Sequence, residues 1–405
     1  MLHLGALFAT LFLACTALAG SDSPSYFELQ GMLAQHPSVA ALEQSGLGQA
    51  TRAQGDMGLP NPTLALGINN VPIQTPTRFD RFLPSNKSIA IAQPLPNLTA
   101  RRANRALTLN RSDLALAQAK NTQAQLTLQL ITSLAQRQRI AQTIQVIQAQ
   151  LDKISELDQW LKGEMASGKP AYGEVEALDI QHSQLQEQLL LQEGEDQRHK
   201  ATLEQLVQQS PRIAPPALQP LTWQNHTPIA VEIAQIKQAM ASRQVEITQA
   251  SLRPDYGVNA MWQQREDGKN FSGEDWYSIT ATISVPLWAK WNQKPKIAAA
   301  KVAVDEAKLL VDDALRSSRA SYDTALAEYH TSGQLLKAIT KRQQEIRELE
   351  AAMNRRYEAG EASLEQLIKP AMTRIKLGED LARHRALQTI AAAKIHTLFY
   401  SQVQP

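Results

Sequence analysis

The sequence predicts a mainly α-helical chain with a small membrane β-barrel, a tandem-repeat protomer carrying four strands and long coiled-coil helices. Three observations lead there: a punctuation pattern that recurs at a fixed interval, short segments of period-two alternation, and two helices too long for a compact domain. Pro62 and Pro254, Pro94 and Pro286, and Gly168 and Gly360 each stand 192 residues apart (254 − 62 = 286 − 94 = 360 − 168). Three matches without an intervening gap point to duplication. Apolar positions obey the same offset, since Ile147, Ile154, Leu157 and Leu161 map onto Ile339, Ile346, Leu349 and Met353. Residues 211–228 hold Pro211, Pro215, Pro216, Pro220 and Pro228, which forbids a continuous helix there. The chain is thereby divided into a first repeat at 20–210, a proline-rich linker at 211–228 and a second repeat at 229–405. Each repeat reads as helix, β-hairpin, very long helix, glycine-containing turn and a second long helix.

The strands are short and well patterned. Ile279, Ala281, Ile283 and Val285 alternate with Ser278, Thr280, Thr282 and Ser284, and Tyr256, Val258, Ala260 and Trp262 alternate in the partner segment. In the first repeat Leu64, Leu66 and Ile68 form one face of a strand, and Ile89 and Ile91 one face of the next. Period two gives each strand an apolar and a polar side. Taken alone, such strands also fit a soluble sheet that packs one face on helices. Their hydroxylated polar faces, and Trp262, Trp276 and Tyr277 near strand ends where aromatic girdles occur, point to lipid contact. The expected lipid-facing residues are Leu64, Leu66, Ile68, Ile89, Ile91, Tyr256, Val258, Ile279, Ile283 and Val285.

Four strands do not close a barrel, and an open edge in lipid leaves backbone groups without partners. The protomer must therefore oligomerise; three copies of four strands give twelve, an even number with room for a water-filled interior. The long helices are expected at residues 97–163 and 294–359. Some 65 residues at the helical rise extend roughly 95–100 Å, a length that needs a partner throughout. Ile140, Ile144, Ile147, Leu151 and Ile154 step by 4, 3, 4 and 3, the heptad spacing of coiled-coil packing. Gly168 and Gly360 turn each long helix back onto a second, at 172–209 and 364–402. On helices alone, an ordinary bundle fits as well as a duct.

Other features narrow the function. Residues 4–13 form an apolar core followed by small residues, with Ala17-Leu18-Ala19 matching a signal-peptidase site, so residues 1–19 read as a signal peptide, although no Lys or Arg precedes the core. The single cysteine, Cys15, is either removed with that peptide or acylated as a lipoprotein terminus. Past residue 20, no apolar run is long enough to span a bilayer as a helix. A net charge of +2 with scattered basic residues argues against a nucleic-acid surface. No nucleophile elbow, glycine-rich phosphate loop or catalytic pairing occurs, so neither an enzyme nor a cofactor is expected. His36, His182, His199, His226, His330, His384 and His396 lack ligand spacing, so no metal site is expected. A periplasmic coiled-coil adaptor or scaffold is the rival reading, but an adaptor needs one hairpin flanked by β-rich domains.

The signal segment, the duplicated unit and the phrases LPNPTLALGINN, QPLPN, VPLW and RRYEAGEASLEQL together resemble the TolC-type outer-membrane factor family over nearly the whole mature chain. The resemblance implies a homotrimer with a 12-stranded barrel in the outer-membrane lipid of a Gram-negative cell and a 12-helix tunnel in the periplasm. It implies a passive duct in a tripartite efflux system, with a periplasmic adaptor (membrane fusion) protein and an inner-membrane pump of the RND type as partners. Multidrug and type I secretion ducts share the fold; the length and the GINNVP phrase are most similar to ducts paired with heavy-metal cation pumps. Family practice places adaptor contacts at the helix turns, which here carry Gly168 in the first repeat and Arg356, Tyr357 and Gly360 in the second. In the first repeat Glu164 and Met165, followed by Ala166 and Ser167, stand where the second has Arg356 and Tyr357. Relatives often carry an aspartate ring six and nine residues past the second glycine. Here Gln366 and Lys369 occupy those places, and Glu174, six past Gly168, is the candidate entrance carboxylate beside its plainer reading as a solvated helix-surface charge.

Overall fold

A computed structural model describes residues 24–73, 78–80, 82, 84–167, 172–359, 361–362 and 364–400. The elements run α1 (Tyr26–Ala34), α2 (Pro37–Gly55), β1 (Thr63–Asn69), β2 (Asn86–Leu95), α3 (Leu98–Ala166), α4 (Tyr172–Val207), a 3-10 turn (Trp223–Asn225), α5 (Ile229–Ala250), β3 (Tyr256–Gln264), β4 (Trp276–Ile283), α6 (Gln293–Glu358) and α7 (Leu364–Leu398). The interval of 192 recurs in these boundaries: α2 and α5 begin at 37 and 229, α4 and α7 at 172 and 364, and α3 and α6 end at 166 and 358. The helix α1 has no helical counterpart, only the 3-10 turn. It is a separate helix because Ser25 caps it in a reciprocal box with Glu28 and Pro37 starts α2 afresh at its first turn, where a fixed φ and a missing N–H cost nothing. The repeat pattern predicts a single helix there, and the structure has two. Pro370 lies inside α7, which continues through it, a feature that proline's usual role as a breaker hides.

Helix order and strand order agree. α3 packs against α2, α5, α4 and α7, and α6 against α5 and α7. One tier thus reads α2-α3-α5-α6 and the other α4-α3-α7-α6. The sheet is antiparallel in the order β1-β2-β3-β4, and each strand adjoins the helix of the same rank. The result is a wall with one lateral edge made of β1, α2 and α4 and the other of β4 and α6.

The wall is held at two levels. At its waist Leu29 and Leu33 of α1 are fully buried against Leu130, Ile131 and Leu134 of α3, Leu203 of α4 and Ala392 and Ala393 of α7. Below, Ile147, Ile154 and Leu161, spaced by seven, are buried against Leu178 and Leu185 of α4, so the heptad stripe of α3 does form the seam. Its counterparts on α6 differ, with Leu349 exposed. α3 has neighbours on both sides and α6 on one only. Leu130→Ala is expected to destabilise the protein by about 2–5 kcal/mol, as read from a guanidinium unfolding midpoint.

A buried ion pair closes the waist. The Arg137 guanidinium donates from Nε and Nη2 to the two oxygens of Asp196 at 2.8 and 3.2 Å, and from Nη1 to the carbonyls of Ser210 and Pro211 at 3.0 and 3.1 Å. The linker is thereby tied to α3 and α4. The Arg137 hydrogen bonds hold the Asp196 carboxyl below its ordinary range, against the opposing effect of burial. A carboxylate with a lowered folded pKa stabilises fully above its unfolded value, about 3.9, and loses that contribution as pH falls through the folded value. Thermal stability should therefore drop below about pH 4, and Asp196→Asn should flatten that acid limb in circular-dichroism melts at stepped pH. An acid limb of unchanged steepness in Asp196→Asn would remove the pair from this role.

Candidate functional site

The pairing register sorts the strand residues into two faces. Leu64, Ile91, Ala260 and Ile279 lie in one row, and Leu66, Ile89, Trp262 and Tyr277 in the next. Gln93, Val258 and Ala281, and then Leu95, Tyr256 and Ile283, complete the face toward the helices, Gln93 being the one amide in these two rows. Leu66 is 75% and Ile279 72% exposed, and Leu64, Ile68, Ile89, Ile91, Tyr256, Val258 and Ile283 are exposed as well. Among the described residues no helix packs extensively on this face, which leaves its apolar side chains open. Nine of the ten sequence-selected apolar residues fall within the strands. Val285 does not, because β4 ends at Ile283 and the chain turns at Pro286.

The opposite face gathers hydroxyl and amide side chains among the small Ala65, Ala90 and Ala92, with Met261 its one large aliphatic residue. Thr63, Asn259 and Thr280 share a row, as do Ser88 and Gln263, with Thr282 across from Gly257. Asn69 Nδ2 donates to Asn86 Oδ1 at 2.8 Å and to Ser88 Oγ at 2.9 Å. Gly67 and Gly257 belong here for a steric reason: a Cβ would meet Ser88 Oγ and Thr282 Oγ1 at 2.6 Å. Trp276 pairs with Gln263 and so points to this polar face, under the Arg265 guanidinium at 3.8 Å. This corrects its placing among the girdle aromatics; Trp262 and Tyr277 keep the apolar side.

Lys87 is the one charged residue within the four strands, and the register sets it on the apolar face at the loop end. It is paired with Glu266 at 3.0 Å and lies over the Phe79 ring at 4.7 Å. Its alternation with Ile89 and Ile91 was the signal for that side.

At the far end of the wall, Gly168 and Gly360 lie outside the described residues. Tyr357 meets Trp160 edge-on at 5.5 Å, and Tyr357 of α6 and Leu367 and Ile368 of α7 each pack against the buried seam of α3 and α4. Arg356 Nη2 donates to the Glu361 carbonyl at 3.4 Å, across the turn. Glu174 stands exposed in the first turn of α4, and Gln366 and Lys369 are exposed on α7. Among the described residues, no group of three or more His, Cys, Asp or Glu could hold a metal ion, and no helix is long and apolar enough to cross a membrane.

No family model matches the chain, and no curated protein matches it significantly. Solved structures do. The outer membrane protein VceC from Vibrio cholerae is similar at a TM-score of 0.74 and 17% identity, over 92% of this chain and 95% of that one. The outer-membrane channel OprN gives 0.77 and 14%, over 93% and 90%. CusC, described for its folding and transmembrane channel formation, gives 0.77 and 10%, over 92% and 91%. The chain shares the fold of these channel proteins along nearly its whole length.

Proposed function

We propose that the chain is one protomer of a trimeric outer-membrane duct, a passive channel-tunnel of a tripartite efflux system. The observation that carries this reading is the coincidence of open edges. β1 and β4 are both unpaired on their outer sides, and the adjoining helices expose large apolar residues along the same two borders. Ile180 and Leu190 are exposed on α4, the helix at one border, and Val302, Leu309 and Leu310 on α6, the helix at the other. Two unlike edges that match end to end make a heterologous contact, which generates a ring if the rotation closes. Three walls give a barrel of twelve strands with the Ile279 face in lipid and the Thr280 face around water.

In this reading residues 1–19 are an export signal, the helices stand in the periplasm of a Gram-negative cell, and the turns bearing Gly168, Arg356, Tyr357 and Gly360 receive a periplasmic adaptor that joins the duct to an RND-type pump. Glu174 contributes an entrance carboxylate in threefold. Heavy-metal cations are the proposed cargo, supported by the GINNVP phrase. Cell fractionation tests the membrane assignment: the protein should stay with outer membranes through alkaline carbonate and leave them only with detergent. Recovery in the carbonate supernatant would refute it.

A further inference from the structure

Between β4 and α6 the chain makes a knuckle that the wall does not require. Ala289 N–H donates to the Pro286 carbonyl at 3.1 Å, Trp291 N–H to Trp288 at 3.0 Å and Lys294 N–H to Ala289 at 2.8 Å, so its own main chain holds the shape. The first repeat makes the same strand-to-helix passage without it. There α3 starts directly at Leu98, with Asn97 Oδ1 accepting from the Ala100 N–H at 2.8 Å, and no aromatic residue intervenes.

What the knuckle displays is specific. Leu287, Trp288 and Trp291 are 75%, 69% and 70% exposed, with the two indole rings 5.9 Å apart. Lys290 stands between them in sequence, its Nζ 5.8 Å from the Trp291 ring. Residues 276–304 contain Lys290, Lys294, Lys296 and Lys301 and no Asp, Glu or Arg. An apolar, indole-bearing surface with uncompensated ammonium groups suits one environment above others: the headgroup layer of a bilayer, where an amphipathic ring lies between hydrocarbon and water and lysine stems reach phosphate.

Position agrees with composition. The last apolar row of the sheet, Leu95, Tyr256 and Ile283, lies immediately before the knuckle, and Ser284 N–H still donates to the Asp255 carbonyl at 2.8 Å. The knuckle therefore continues the exposed apolar face just where it ends. A second copy is the rival occupant, since α6 forms a lateral edge. The opposite edge, where α2 runs into β1, brings Arg52 and Asp56, and Asp56 already accepts from Thr108 at 2.6 Å. It offers the lysines no surplus of negative charge.

We propose that residues 285–296 form an anionic-phospholipid site, one per protomer, in which Trp288 and Trp291 seat at the helix-side boundary of the bilayer and Lys290, Lys294 and Lys296 take the phosphates. This rests on the membrane reading of the sheet. The test uses the full chain reconstituted into phosphatidylcholine vesicles with and without phosphatidylglycerol, with retained lipid counted by native mass spectrometry. Wild type should enrich phosphatidylglycerol over phosphatidylcholine, and Lys290→Gln/Lys294→Gln/Lys296→Gln should lower that preference at least about fivefold, the effect of roughly one lysine near a charged surface. The variant should keep its oligomeric mass and its insertion. Trp288→Phe/Trp291→Phe should remove most of the tryptophan fluorescence that headgroup-proximal brominated lipid quenches. An unchanged lipid preference in the lysine variant overturns the proposal, as does its separation into single chains, which would give the knuckle to the contact between copies. A wild-type chain that enters neither vesicle would instead overturn the membrane reading itself.

Discussion

Ile279→Lys is expected to abolish outer-membrane assembly, while Thr280→Lys, one residue away, leaves it close to normal. Ile279 lies in the row with Leu64, Ile91 and Ala260, well inside the apolar face, and Thr280 pairs with Asn259 on the other. A lysine near the bilayer midplane on a barrel's lipid face costs roughly 2–4 kcal/mol, and a trimer incurs it three times. On the polar face the same ammonium group remains hydrated. Depth separates a third variant: Ile283→Lys sits in the last row beside the helices, where the side chain reaches the interface and the cost falls to about 0–1 kcal/mol. Heat-modifiable oligomer bands from membrane fractions read all three. Equal amounts of Ile279→Lys and Thr280→Lys would show that the two faces are wrongly assigned.

Arg137→Ala should cost about 3–5 kcal/mol, the largest single-residue effect expected in the helical part. The Arg137 and Asp196 side chains are only 6% and 15% exposed, so truncation leaves a carboxylate with little access to water, and the Ser210 and Pro211 carbonyls lose a charged donor. Arg212, 3.6 Å from Asp196, is largely solvent-exposed and replaces little of this. The double variant Arg137→Met/Asp196→Leu should recover most of the loss, because removing both charges also removes their desolvation cost. Chemical denaturation of wild type and the two variants in one detergent measures the loss and its recovery. A double variant no more stable than Arg137→Ala would mean that packing, not charge, holds the waist.

Much of this architecture was legible in the sequence because its signals are periodic. An interval of 192 located the repeat elements, period two found the strands, and Ile147, Ile154 and Leu161 marked a seam that is buried as their spacing requires. Single-position features were harder to see. Trp276 was placed by its nearness to a strand end, whereas its face depends on register with Gln263, a fact of pairing and not of composition. Val285 continued the alternation of β4 past the point where the main chain leaves the sheet. The Arg137–Asp196 pair joins residues 59 apart, and no local pattern announces it. The separation of α1 from α2 was encoded by Ser25, Glu28 and Pro37, readable as capping chemistry once a break is sought.

Closure by three copies is the central claim, and particle mass tests it most directly. Purified in mild detergent, with the detergent contribution subtracted by light scattering, the protein should give a mass of three chains that survives dilution. A stable particle of one chain would contradict the account, since a single wall leaves the outer sides of β1 and β4 unpaired in a medium that offers them no partner.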